Sequence, residues 1–198
     1  MDLFDNPAAL VPIPIEDGAL ALMRQLPLPW PNAEVLTRLL DETPWRAESV
    51  VVYGKRHLQP RLTAWYGDAS YTYSGLRLEP LPWTDLLLAI RAAVESACGR
   101  RFNSVLLNRY RNGRDSMGMH SDDEPELGPE PAIASLSFGS TRGFILRHKR
   151  NKQTIKLDLD DGSLLLMSGP LQRNWLHGIN KSARPLGERV NLTFRYIV

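Results

Sequence analysis

Short apolar or alternating segments dominate the second half of the chain and predict a mainly β fold. Turns rich in Gly, Asp, Pro and Lys separate these segments. The predicted strands are 104–110, 132–138, 144–148, 154–159, 163–168 and 189–197. Many short strands after a single long helix favour an antiparallel sandwich or jelly roll with helical cover at its N-terminal side.

The first half of the chain predicts that helical cover and a lead-in. Apolar residues recur at helical spacing after Thr84, a candidate N-cap, and Gly99 ends the helix. Residues 1–48 are rich in proline and are expected to form an irregular lead-in packed on the core, with one short helix over 33–41. Residues 49–198 form the predicted main domain. Its substrate-recognition hairpins lie at about 50–75, where segments 50–53 and 62–66 are expected to pair around a basic tip.

Composition and the lengths of the apolar runs exclude several classes of protein. The chain has 198 residues, 24 Lys+Arg, 22 Asp+Glu and one Cys. One Cys excludes an intramolecular disulfide framework, and no apolar run approaches the roughly 20 residues that cross a bilayer. The first residues carry acids where a signal peptide would carry bases. We therefore expect a soluble, cytoplasmic monomer without membrane partners.

The near balance of charge conceals a strong segregation. Bases cluster at 55–61 and 147–152, whereas acids cluster at 122–130 and 158–161. Such a distribution is typical of a basic face that follows a phosphate backbone around an acidic pocket. Solvated loop charge explains each single cluster equally well, so both interpretations stay open.

His120 and Asp122 are the first candidate metal ligands. Their two-residue spacing places both side chains on one face of an extended strand. An imidazole and a carboxylate are two thirds of the facial triad that holds non-haem Fe(II). His57 and His148 lie in basic loops without an acidic partner, which leaves His177 as the candidate third ligand. Alone, the His-x-Asp pair is also typical of a structural histidine.

The last predicted strand favours the metal-site interpretation over a structural histidine. Val190, Leu192, Phe194 and Tyr196 would face a core, and Arg189, Asn191, Thr193 and Arg195 would face the opposite way. The two arginine Cα atoms would lie about 20 Å apart, leaving a gap near the length of a short dicarboxylate. Arginine suits a bidentate grip on carboxylates. Asn108 and Tyr110 offer an amide and a phenol at the same two-residue spacing.

Together these residues resemble the pattern of a known family. The segments that carry the resemblance are Asn108-x-Tyr110-x-x-Gly113, His120-x-Asp122, His177 and Arg189-x-Asn191-x-x-x-Arg195. They are similar to those of the AlkB-type Fe(II)/2-oxoglutarate dioxygenases, which repair alkylated nucleic acids. Within that family, the vertebrate nuclear DNA-repair branch is the most similar. The resemblance covers about residues 50–198 and implies a double-stranded β-helix.

The resemblance also implies a role for each candidate residue. Fe(II) would be bound by His120, Asp122 and His177, and 2-oxoglutarate by Asn108, Tyr110, Arg189, Asn191 and Arg195. Arg189 would hold the distal carboxylate and Arg195 would lie nearer the keto-acid end. Substrate contacts would come from Tyr53, Arg61, Tyr73 and Glu124. Tyr53 would be the wedge in the duplex, Tyr73 would stack on a flipped base, and Glu124 would bind its exocyclic amine.

The activity that the resemblance implies is oxidative demethylation of N-alkylated bases, such as 1-methyladenine and 3-methylcytosine, in DNA. O2 would be consumed, and formaldehyde, succinate and CO2 released. The basic hairpin at 53–61 favours duplex DNA. The same chemistry on RNA such as tRNA is an alternative, and a non-catalytic nucleic-acid-binding homologue is another. A protein hydroxylase would have no use for the aromatic wedge or Glu124.

Overall fold

Two antiparallel sheets pack face to face and form the body of the protein. The computed structural model describes residues 6–52, 55–68, 71–73, 76–78 and 80–198. In spatial order, the larger sheet consists of β1 (Val11–Ile13), β2 (Ala19–Met23), β13 (Leu164–Ser168), β10 (Ile133–Gly139), β15 (Arg189–Arg195), β8 (Ser104–Tyr110) and β5 (Leu62–Gly67). The smaller sheet consists of β12 (Thr154–Leu159), β11 (Arg142–His148), β14 (Trp175–Ile179) and β9 (Met117–His120). This arrangement confirms the mainly β jelly roll.

Two hairpins, three α-helices and a 3-10 turn (Pro125–Leu127) complete the described elements. The hairpins are β3 (Ser49–Val52) with β4 (Lys55–Leu58), and β6 (Tyr71–Tyr73) with β7 (Leu76–Leu78). The helices are α1 (Asn32–Glu42), α2 (Asp85–Cys98) and α3 (Leu171–Asn174). Both predicted helices are confirmed. Thr84 caps α2 by accepting a hydrogen bond from the Leu87 N–H, and Gly99 ends it in the left-handed conformation.

The large sheet separates two hydrophobic clusters. The helix-side core packs α1 and α2 against one face of this sheet, through Val35, Leu39, Leu87, Ile90, Leu107, Leu136, Leu192 and Phe194. The inter-sheet core fills the space between the two sheets, through Leu106, Ile133, Phe144, Leu146, Leu165, Met167 and Trp175. Alternation along each strand of the large sheet therefore sends neighbouring side chains into different compartments.

The last strand shows this alternation clearly. Val190, Leu192 and Phe194 enter the helix-side core, which confirms the prediction for them. Tyr196 lies beyond the end of β15 and is 51% exposed, so its predicted place in a core is wrong. The opposite face of β15 is also buried, because the second sheet covers it.

The predicted pairing of segments 50–53 and 62–66 is wrong. β3 pairs with β4, whereas β5 joins the large sheet beside β8. The pairing with β8 buries Ala64 and Tyr66 in the helix-side core and Trp65 in the inter-sheet core. A local hairpin offers much less burial.

The Pro-rich segment before α1 is not irregular as predicted. β2 pairs with β13 and β1 pairs with β2, so both strands extend the large sheet. Pro12 is tolerated because β1 is an edge strand, where a missing N–H interrupts no interior ladder. The domain division after residue 48 stays a prediction. Among the described helices, none is both long and apolar enough to cross a bilayer.

Candidate metal centre

Neighbouring strands of the smaller sheet bring the two candidate histidines together. His120 on β9 pairs directly with His177 on β14, and their ring centroids lie 4.4 Å apart. Gly178 permits this close approach, because a Cβ atom there would lie 2.8 Å from the Met117 carbonyl oxygen. The two imidazoles thus face the same space although they are distant in the sequence.

Asp122 adds a carboxylate two residues beyond the end of β9. Its Oδ1 lies 3.9 Å from Nε2 of His120, and its Oδ2 lies 3.7 Å from Nε2 of His177. One ligand atom from each of the three residues lies within 4.8 Å of the others. The structure therefore brings together all three metal ligands predicted from the sequence.

Hydrogen bonds orient His120 and Asp122 for metal binding. His120 Nδ1 lies 2.9 Å from the Gly118 carbonyl oxygen, to which it can donate, leaving the Nε2 lone pair for a metal. Arg195 Nη2 donates to Asp122 Oδ1 over 2.7 Å, whereas the buried Oδ2 has no hydrogen-bond partner among the described residues. Phe144 stacks on the His177 ring at 5.4 Å. An orphaned carboxylate oxygen beside two imidazole nitrogens fits a cation.

Burial and neighbouring charges keep Asp122 and His177 in their metal-binding protonation states. Burial raises the pKa of the Asp122 carboxyl, but the charges of Arg195 and the imidazoles outweigh burial and lower the pKa to about 2. Burial, reinforced by the charge of His120, lowers the pKa of His177 to about 3. At neutral pH an ionised carboxylate therefore faces an unprotonated imidazole. Two histidines and one carboxylate form the ligand set of non-haem Fe(II) sites with open positions.

Arg189 lies in the same pocket and forms no ion pair with a carboxylate of the described residues. It is 1% exposed, and its Nη2 donates to Ser137 Oγ over 2.9 Å. Its Nε and Nη1 are buried without a hydrogen-bond partner in the described part of the chain. Burial lowers the pKa of this guanidinium to about 10, so it remains a cation at neutral pH. A buried guanidinium with idle donors fits one carboxylate of a diacid such as 2-oxoglutarate.

Tyr110 lies between two cations in this pocket. Arg189 lies 5.1 Å from its ring centroid, and Arg142 lies 5.4 Å from the same centroid. Arg142 is 3% exposed and its guanidinium donates to the carbonyl oxygens of Asn112, Asp115 and Asn180. The sequence analysis missed Arg142, because it begins a strand and precedes no recognisable motif. Arg142 and Arg189 together make this end of the pocket strongly positive.

The two predicted asparagines have different surroundings. Asn191 lines the pocket; its Nδ2 donates to Ser135 Oγ and its Oδ1 accepts from Thr193 Oγ1. Asn108 lies opposite Asn191 in the β8–β15 register, and its Oδ1 accepts from Arg61 Nε over 2.8 Å. Their contact with 2-oxoglutarate stays a prediction.

Arg61 is buried instead of standing at an exposed basic tip. It is 5% exposed, and its Nε donates a hydrogen bond to Asn108 on β8. Arg61 is buried because β5, which begins at the next residue, pairs with β8 in the large sheet. Its predicted contact with nucleic acid stays a prediction.

The remaining substrate-contact predictions have less structural support. Glu124 is half-buried and precedes the 3-10 turn Pro125–Leu127. Tyr73 belongs to β6, but its side chain lies outside the described part of the structure, and Tyr53 lies outside the described residues altogether. All three roles stay predictions.

His148 has an acidic partner that its sequence neighbourhood does not reveal. The side chain is 1% exposed, and Nε2 lies 3.2 Å from Asp17 Oδ2. Its Nδ1 accepts from the backbone N–H groups of Arg150 and Asn151. The prediction of a basic loop without an acid is therefore wrong for His148, because Asp17 comes from the distant N-terminal segment.

Comparison with known proteins agrees with this geometry. The family model described as "2OG-Fe(II) oxygenase superfamily" matches residues 21–195. "Alpha-ketoglutarate-dependent dioxygenase alkB homolog 3" of Homo sapiens is 43% identical over 173 residues, which cover 82% of this chain and 60% of that protein. "DNA oxidative demethylase ALKBH2" of Mus musculus is 47% identical over 159 residues, which cover 75% of this chain and 66% of that protein.

A solved structure of OsALKBH1 superposes with a TM-score of 0.68 at 16% identity, covering 93% of this chain and 99% of that one. This likeness concerns the fold. The chain spans about three fifths of the length of the alkB homolog 3 relatives. The extent of the family match and the identity to these relatives show that the chain belongs to the 2OG-Fe(II) oxygenase superfamily.

Proposed function

We propose that the protein is an Fe(II)/2-oxoglutarate-dependent dioxygenase that demethylates N-alkylated bases, such as 1-methyladenine and 3-methylcytosine, in DNA. The observation that carries the proposal is the convergence of His120, Asp122 and His177 beside the buried Arg189. The names of the ALKBH2 relatives, which describe DNA oxidative demethylases, support the choice of reaction.

In this proposal the pocket residues bind and orient the cofactors. His120, Asp122 and His177 would hold Fe(II), and Arg189 would bind the distal carboxylate of 2-oxoglutarate, with Arg195 nearer the keto-acid end. When bound, Fe(II) and 2-oxoglutarate use O2 to hydroxylate the N-methyl group, which leaves as formaldehyde while succinate and CO2 are released.

The chain's own contribution is electrostatic and steric. Arg195 holds one oxygen of Asp122 and keeps that carboxylate ionised. Arg189, Arg142 and Tyr110 supply a positive, buried end for a diacid. Because these groups are already placed before ligands arrive, little reorganisation is needed on binding.

The substrate side of the proposal rests on charge. Arg147 is exposed near the end of β11, Arg150 and Lys152 are exposed in the turn that follows, and His57 is exposed on β4. These exposed bases support contact with phosphates. A base inside a duplex must be flipped before its methyl group can reach the metal, at a cost that is lower for a lesion unable to pair. Glu124 would favour the positively charged lesion base. Tyr73 would stack on it and Tyr53 would fill the gap.

Turnover on matched substrates tests this proposal. The purified protein, loaded with Fe(II) and 2-oxoglutarate, is given 1-methyladenine or 3-methylcytosine in duplex DNA, single-stranded DNA and RNA of the same sequence. Formaldehyde and the repaired base are measured by mass spectrometry. We expect the highest turnover on DNA, its loss in Asp122→Asn, and its retention in Asp158→Asn, the same chemical change at an exposed position.

Two outcomes would contradict the proposal. Faster turnover on RNA than on either DNA substrate would overturn the DNA preference while leaving the chemistry. Absence of formaldehyde from every substrate, with metal binding demonstrated, would overturn the enzymatic function and favour a non-catalytic binder. The cytoplasmic location and monomeric state stay predictions.

A further inference from the structure

The main chain of Asp122 is held by a residue that belongs to none of the predicted motifs. Gln172 Oε1 accepts a hydrogen bond from the Asp122 N–H over 3.0 Å. Gln172 is 1% exposed and lies in α3, the turn immediately before β14. The same short segment therefore contacts one candidate ligand directly and leads into the strand that carries another, His177.

Gln172 is itself fixed from two sides. Its Nε2 lies 3.8 Å from Met167 Sδ, and Lys149 Nζ donates to its backbone carbonyl oxygen over 3.0 Å. Lys149 also lies 3.4 Å from Asp123 Oδ2, next to the candidate ligand. The amide oxygen of Gln172 consequently has a restricted position relative to the Asp122 loop.

The N-terminal segment supports α3 from behind. Asn174 Nδ2 donates to the Asp17 carbonyl oxygen over 3.2 Å, and Trp175 Nε1 donates to the Glu16 carbonyl oxygen over 2.8 Å. A Cβ atom at Gly18 would lie 3.1 Å from Leu171 Cβ, which shows how closely this turn packs on α3. The N-terminal segment thereby contacts α3 and the start of β14, which position the candidate metal ligands.

A held main chain matters because Asp122 lies outside any strand. No ladder partner fixes its backbone, and a buried N–H requires an acceptor. Groups that orient metal ligands typically change metal affinity 10–100-fold when they are removed.

We propose that Gln172 is a positioning residue that fixes the Asp122 main chain and so places its carboxylate for metal binding. This inference rests on the proposed function, since it assumes that Asp122 binds a metal. Gln172 contacts no substrate in this role. It acts through the backbone of Asp122.

Metal binding in the absence of substrate tests the proposal. Co(II) affinity is measured by calorimetry, and its visible absorption spectrum reports the ligand geometry. Three variants separate the acceptor from packing: Gln172→Leu removes the acceptor, Gln172→Asn retracts it by one methylene, and Gln172→Glu retains it. We expect Co(II) affinity to fall about 10–100-fold in the Leu and Asn variants, with an altered spectrum. We expect the Glu variant to stay nearer the wild-type protein.

Arg173→Ala is the matched control, because Arg173 is exposed on the same turn. Thermal melting of each metal-free variant verifies folding, and the Asn variant decides the matter if the Leu variant does not fold. Wild-type Co(II) affinity and spectrum in the Asn variant would overturn the proposal. Equal losses in the Glu and Asn variants, or in Arg173→Ala, would also overturn it by assigning the effect to packing. A protein whose Co(II) affinity depends on Gln172 but which demethylates nothing contradicts only the proposed function.

Discussion

The large sheet has two buried faces that differ sharply in chemistry. Its helix side is lined by apolar side chains such as Val190 and Phe194. Its inter-sheet side carries Arg189, Asn191 and Arg195 within the buried interior. Burial of apolar surface stabilises the fold, whereas burial of charge opposes it unless partners compensate. The comparison shows one sheet providing stability on one face and a pre-arranged binding pocket on the other.

The two faces also differ in how their contacts are completed. In the helix-side core, every buried side-chain nitrogen or oxygen atom of the described residues has a hydrogen-bond partner. The pocket leaves Arg189 Nε, Arg189 Nη1 and Asp122 Oδ2 without hydrogen-bond partners among the described residues. Since such atoms cost free energy when buried, a ligand that supplies partners should stabilise the folded protein.

A comparison of Phe194→Ala with Thr193→Val tests most directly whether stability comes mainly from the helix side of the large sheet. Removing the Phe194 ring should lower the free energy of unfolding by about 3–5 kcal/mol, through lost burial and a residual cavity. Thr193 faces the pocket, and its near-isosteric replacement removes one hydrogen bond, costing about 0.5–1.5 kcal/mol. Urea unfolding of the metal-free proteins measures both. Similar losses in the two variants would contradict the assignment of stability to the helix side.

Arg189→Lys tests the pocket side. Lysine keeps the charge but loses the planar fork, so one charge-assisted hydrogen bond of about 1.5–3 kcal/mol should disappear. We expect the KM for 2-oxoglutarate to rise about 10–100-fold and the thermal stabilisation by 2-oxoglutarate to shrink. Arg184→Lys, at an exposed position, is the matched control. An unchanged thermal shift in Arg189→Lys would exclude Arg189 as a carboxylate ligand.

Thr84→Ala is expected to have the smallest effect on stability, and it tests the N-cap of α2, the helix that packs on the helix-side core. Losing the hydrogen bond from the Leu87 N–H to Thr84 Oγ1 should cost about 1 kcal/mol of unfolding free energy. Ser96→Ala removes a hydroxyl from the exposed interior of the same helix and should be neutral or slightly stabilising. Chemical denaturation compares the two. Equal effects would mean that the cap contributes nothing specific to α2.

The local sequence pattern was sufficient to predict elements whose boundaries are set by neighbouring residues. The strands at 104–110 and 154–159 coincide with β8 and β12. Alternation along 189–195 separated the two faces of β15, because a strand has a period of two. The three candidate metal ligands converge as the His-x-Asp spacing and the resemblance together imply.

Features that depend on contacts between distant segments could not be predicted from the sequence. The neighbour of β5 is β8, and the acid beside His148 is Asp17. Both are pairings between remote segments, which no local period encodes. Gln172 was missed for the same reason, since a lone glutamine in a short turn resembles any surface amide. Tyr196 was misplaced because the apolar alternation continues past the point where β15 ends.

The register of β15 against its neighbours fixes both the apolar side chains of the helix-side core and the positions of Arg189 and Arg195 in the pocket. A slip of one residue against β8 and β10 would push its arginines among the helices and its apolar side chains into the ligand pocket. The cofactor chemistry can therefore be changed only together with the packing of the whole sheet. The hairpins β3–β4 and β6–β7 form separate two-stranded sheets, so they can be exchanged while that register is kept. New substrate preferences are best engineered at these hairpins, with β15 left untouched.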